Sequence, residues 1–187
     1  MKTLPLLSAW ALLAFAGIPN AFGSSAYTCT SFTYGSAANN TSLTGINNKG
    51  QVVGSWSNPG EPGQSAHAFR RDADGTLTSL ISPSGNDLFV PIGINNLGQI
   101  LGQVTGQTGV STFILNPDGS FTDIALPVAP PGHTYDRTFF SGLNDKDEIT
   151  GTISADNNGA SSIDLVFIRG SDGKYSIIDQ EHSGTEP

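Results

Sequence analysis

The chain has 187 residues, 37% of them hydrophobic and only 13% charged, with 23 Gly and 11 Pro, which allows one modest domain or a short repeat array and argues against a charge-rich helical protein. A formal net charge of -8 repels phosphate backbones and anionic headgroups, so nucleic acid is disfavoured as a partner.

In chain order, Met1-Lys2-Thr3 leads into an uncharged apolar run from Leu4 to Ile18. A basic start followed by such a run is the pattern of a secretory signal peptide. Small residues at Ala21 and Gly23, around Phe22, suggest a cut before Ser24, with Ala26 as the alternative exit. Residues 1–23 are therefore read as a signal peptide and 24–187 as a single β-repeat domain. The run falls short of the ~20 apolar residues that span a bilayer, and no later run in the mature chain is long enough. Cys29 is the one cysteine, so an oxidising compartment offers it no internal disulfide partner; it reads as a buried thiol. The overlapping sequons at Asn39 and Asn40 matter only in a eukaryotic secretory pathway.

Next comes a repeat. Gly45-Ile46-Asn47-Asn48-Lys49-Gly50-Gln51-Val52-Val53-Gly54 returns as Gly93-Ile94-Asn95-Asn96-Leu97-Gly98-Gln99-Ile100-Leu101-Gly102 and as Gly142-Leu143-Asn144-Asp145-Lys146-Asp147-Glu148-Ile149-Thr150-Gly151. A second block follows each copy, running from Phe69 to Asp74-Gly75, from Phe113 to Asp118-Gly119 and from Phe167 to Asp172-Gly173. In the first block Asn side chains cap a hairpin turn and Gly takes its positive φ. Strands should then end at 46, 94 and 143 and restart at 51, 99 and 148. The two-residue period puts Val52-Gly54-Trp56, Ile100-Gly102-Val104 and Ile149-Gly151-Ile153 on one face each, read as the core face, with the central Gly admitting a neighbouring sheet or backbone. Asp147 replaces the turn Gly in the third copy and should adopt a left-handed conformation at a cost of ~1 kcal/mol.

The Phe strand and the strand after each Asp-Gly complete about four short strands per unit, with no helical periodicity after the signal. The predicted fold is all-β: short antiparallel four-stranded repeats, propeller-like. Units run about 27–75, 76–119 and 120–173, with a closing strand at 174–179. Closed propellers need four or more blades. Three units therefore predict a homo-oligomer completing the ring towards six, an open or distorted array, or a piece of a longer one.

These residues resemble the extracellular HAF repeat proteins, whose unit couples Gly-Ile-Asn-Asn-x-Gly-Gln to a His-Ala-Phe strand, here His67-Ala68-Phe69. The later copies keep only the Phe, as Ser111-Thr112-Phe113 and Leu165-Val166-Phe167. The resemblance spans roughly residues 41–179 and implies a secreted bacterial β-repeat protein of propeller-like form. It carries over no catalytic residue and no ligand.

Candidate chemistry is sparse. Asp72-Ala73-Asp74-Gly75 and Asn144-Asp145-Lys146-Asp147-Glu148 contain calcium-loop residues, but neither alternates oxygen ligands over the twelve positions of a full loop, and both read as hairpin turns. No metal or cofactor is expected. His67, His133 and His182 stand in three unrelated contexts, and no nucleophile, zinc or phosphate-loop motif accompanies them; the expectation is that the chain is not an enzyme. A binding or structural module is favoured, with carbohydrate or another protein as partner, and a secreted carbohydrate-active enzyme is the second reading. Exposed aromatics could stack on sugars, which singles out Trp56, Tyr34 and Tyr135. Trp56 takes the position of Val104 and Ile153, so core packing is its first reading.

Overall fold

Two kinds of three-residue hairpin loop cut the chain into strands. In the computed structural model, which describes residues 31–32, 34, 40–58, 60, 66–83, 88–106, 109–129, 134–157 and 160–178, both loops share one hydrogen-bond pattern. Asn47 N–H donates to the Gln51 carbonyl and Gly50 N–H to the Asn47 carbonyl, and Asp72, Gly75 and Thr76 repeat that pairing. The last loop residue is left-handed: Gly50, Gly98, Gly75, Gly119 and Gly173 all have positive φ, and Asp147, at φ 60°, is the one non-glycine among the described residues that does. That left-handed third residue is what lets a three-residue loop close a hairpin.

The described strands are β1 (Asn40–Ile46), β2 (Val52–Ser57), β3 (Ala66–Arg71), β4 (Leu77–Leu80), β5 (Leu88–Ile94), β6 (Ile100–Gly106), β7 (Gly109–Leu115), β8 (Phe121–Ile124), β9 (Tyr135–Leu143), β10 (Ile149–Asn157), β11 (Ala160–Arg169) and β12 (Tyr175–Ile178). They form three four-stranded sheets, β1-β2-β3-β4, β5-β6-β7-β8 and β9-β10-β11-β12, antiparallel throughout. Among the described residues the fold is all-β and propeller-like, with open sheets as blades that do not close into a ring. Strand ends at 46, 94 and 143 match the sequence pattern. Unit boundaries do not: the blades cover 40–80, 88–124 and 135–178, not 27–75, 76–119 and 120–173 with a closing strand at 174–179. A three-residue loop leaves the strand after each Asp-Gly beside the one before it, so β4, β8 and β12 complete their own sheets. The signal segment, Cys29, Asn39, His133 and His182 lie outside the described residues.

The repeated Gly of the second strand faces an irregularity in the first. Register shifts fall between Leu43 and Gly45, between Pro91 and Gly93, and beside Gly151. A Cβ on Gly54 would collide with the Ser42 carbonyl, one on Gly102 would meet the Phe89 ring at 2.5 Å, and one on Gly151 would collide with the Phe139 carbonyl and the Phe167 ring. The close approach comes from the adjacent strand of the same sheet and from aromatic rings, not from a neighbouring blade's backbone.

Burial shows that the blades have two working faces. Val53 and Ala68 of the first blade pack with Phe89, Ile94, Ile100 and Val104 of the second. Leu101, Ile114 and Ile124 of the second pack with Phe140, Ile149, Ile153 and Phe167 of the third. The predicted Ile100-Gly102-Val104 and Ile149-Gly151-Ile153 faces are thus buried, each against the opposite face of the preceding blade. The two consecutive apolar residues in Gln-Val-Val-Gly serve one face each.

Candidate functional site

The Asn turns of all three units converge at the inner ends of the blades. Within each turn one Asn does the capping: Asn47 Oδ1 accepts from Lys49 N–H and Gln51 N–H at 3.0 Å, and Asn144 Oδ1 accepts from Lys146 and Glu148 at 2.9 and 3.0 Å. Its amide donates four residues ahead, Asn47 to Gln51 Oε1 at 2.8 Å, Asn95 to Gln99 Oε1 at 2.6 Å and Asn144 to Glu148 Oε2 at 2.7 Å. Gln51 passes the connection to the outer turn through Asp72 Oδ1 at 2.7 Å, and Asp72 also pairs with Arg70.

The same amides then cross between units. Asn47 Nδ2 donates to the Asn95 carbonyl, and Asn95 Nδ2 to the Asn144 carbonyl, both at 3.0 Å. Alongside, Asn48 N–H donates to Asn96 Oδ1 at 2.8 Å and Asn96 N–H to Asp145 Oδ1 at 2.7 Å. Asn47 and Asn95 are buried, whereas Asn144 is exposed. This ladder rings a shallow polar hollow of about 240 Å³, lined by the three turns. Sequence reading found the capping Asn but missed the ladder. The available signal was the paired recurrence of Asn and Gln or Glu four residues apart, which a turn alone does not require.

Each outer turn holds a carboxylate at the residue before its Gly. Asp74, Asp118 and Asp172 accept from the N–H groups of Thr76, Ser120 and Lys174 at 2.8, 2.9 and 3.1 Å. Bonds from those same residues hold all three carboxyls below the usual carboxylate range. Hydrogen bonding explains the acidic loops as turns; among the described residues no three His, Cys, Asp or Glu side chains gather as metal ligands. Tyr175 donates its hydroxyl to the Ala125 carbonyl at 2.7 Å, and burial raises its pKa above the ordinary value.

The singled-out aromatics are packed. Trp56 stacks on Tyr34 with ring centroids 4.9 Å apart and on His67 at 4.4 Å, so His67 is an aromatic neighbour in a sheet. Tyr135 is half-buried against the core between the second and third blades. A groove of about 580 Å³ lies instead between the first two blades, lined by Arg70, Thr78, Leu80, Ile100, Asn116 and Phe121 among others.

No protein-family model matches the chain, and no curated protein matches it. A solved structure of streptogramin B lyase is similar to it at 18% identity and a TM-score of 0.43, over 76% of this chain and 42% of that one, so this chain spans less than half of that structure's length. The expectation that the chain is not an enzyme is accordingly withdrawn, since a similar structure belongs to a lyase. A likeness of this size assigns the chain no reaction and no site residue.

Proposed function

We propose that the protein is a secreted, extracellular or cell-surface β-repeat module of the HAF type, acting by binding or by structural support, with carbohydrate or another protein as its partner. The observation that carries this reading is the use made of the repeated polar residues. Asn47, Asn95 and Gln51 are spent on joining turn to turn and unit to unit, which builds a scaffold and leaves the grooves between blades as the recognition surface. The groove beside Arg70, Asn116 and Phe121 combines apolar walls with a few polar groups, the mixture that small-ligand sites use. The apolar leader and the acidic balance agree with export.

The test is the mature protein on a glycan array and, in parallel, with generic glycosidase substrates. Retention of a glycan that Asn116→Ala weakens supports the binding reading. Turnover without retained glycan replaces it with a carbohydrate-active enzyme.

A further inference from the structure

The two ends of the array are complementary. Each internal junction puts the Val53/Leu101 face of one blade on the Ile100/Ile149 face of the next, and one face of each kind remains at the ends. On the first blade Leu43 is 52% and Ile46 70% exposed, while their counterparts Pro91 and Ile94 in the second blade and Phe140 in the third are buried. Leu77 is exposed on the same face, beside the ground that Tyr34 covers over Trp56 and Phe69. On the third blade Phe139, Val166, Ile168 and Ile178 are exposed, where the second blade buries Thr112, Ile114 and Ile124.

The ladder is open in the matching sense. Asn95 Nδ2 gives one hydrogen to Gln99 and the other to the next unit; Asn144 Nδ2 has its Glu148 bond and, among the described residues, no next unit to reach. At the other end the Asn95 carbonyl accepts from both Gly98 and Asn47, whereas the Asn47 carbonyl accepts from Gly50. Among the described residues one end thus lacks an acceptor and the other lacks a donor, and apolar strips flank both.

We propose that two copies of this chain join head to tail, the third blade of each docking on the first blade of the other, to close a two-fold ring of six blades. The new junctions repeat the internal one. Asn144 Nδ2 donates to the Asn47 carbonyl of the second copy, and Asp145 N–H to its Asn48 Oδ1. The strip of Phe139, Val166 and Ile168 covers that of Leu43, Ile46 and Leu77. Six blades fall within the range in which propellers close, and a two-fold pair satisfies both ends at once, which a head-to-tail contact otherwise does only in a growing chain.

Light scattering and sedimentation of the full secreted protein test this. The expected mass is twice that of the chain. Leu43→Glu and Ile168→Lys change exposed residues at opposite ends, so each monomer should keep its fold by circular dichroism and melting. Each alone should weaken self-association by at least about tenfold, because every copy uses both ends. An equimolar mixture, in which one junction pairs two unaltered ends, should recover the two-copy mass. A monomer at every concentration, arrays that grow with concentration, or a pair indifferent to either substitution overturns the proposal.

Discussion

Asp147 carries the backbone cost of the third Asn turn. Its φ of 60° is a conformation that glycine adopts freely and other residues do not, so Asp147→Gly should stabilise the protein by about 1 kcal/mol, read as a rise in denaturant midpoint. The capping Asn residues differ by position rather than by type. Buried Asn95 serves its own turn and the next unit, and Asn95→Ala should cost about 2–3 kcal/mol because Gln99 loses both its bonds to the Asn95 side chain and the Asn144 carbonyl loses one of its two donors. The side chain of exposed Asn144 bonds, among the described residues, only within its own turn, and in the monomer Asn144→Ala, which keeps the carbonyl that accepts from Asn95, should cost under about 1 kcal/mol. The outer-turn carboxylates set a pH response. Hydrogen bonds from Thr76, Ser120 and Lys174 make Asp74, Asp118 and Asp172 titrate below the ordinary aspartate value in the folded chain. Their contribution is present above that value and lost as pH falls through the lowered ones. Melting followed downward from pH 5 should show this loss, and replacing all three by Asn should flatten it.

Within the strands, the repeated Gly is the sharpest constraint. Gly54→Ala and Gly151→Ala would drive a methyl into a neighbouring carbonyl, and Gly102→Ala chiefly into the Phe89 ring. Backbone yields less readily than a ring, so the first two should cost about 3 kcal/mol and the third about 1–2; thermal melts of the three variants would rank them. The sequence pattern contained these glycines, the strand ends and the hairpin turns, since each is fixed by residues a few positions apart. It did not contain the partner of each Gly. The irregularity opposite Gly54 is set by register between strands, which no local period encodes. Boundaries between units failed for a related reason. A repeat can be cut at any phase, and the strand after Asp-Gly pairs with equal sequence plausibility backwards or forwards until the loop length decides.

For the whole molecule, burial is decided by which neighbour exists. Val53 and Leu101 are buried because a next blade covers them, and Thr150, their counterpart, is exposed. That exchange of an apolar residue for Thr was visible in the sequence as a departure in the third copy, though its meaning was not. The leader also belongs to this scale: N-terminal sequencing of the exported protein should begin at Ser24, and retention of residues 1–23 would remove the secreted reading. The sequence by itself determined an all-β chain of three hairpin units, because turn chemistry and the period of strands are local. Only the tertiary structure decided that both faces of a blade are interfaces, that the capping Asn links successive units, and that the array is left open. Those depend on contacts between residues 48 and 49 positions apart, where the packing of blades, not the preference of any segment, selects the partner.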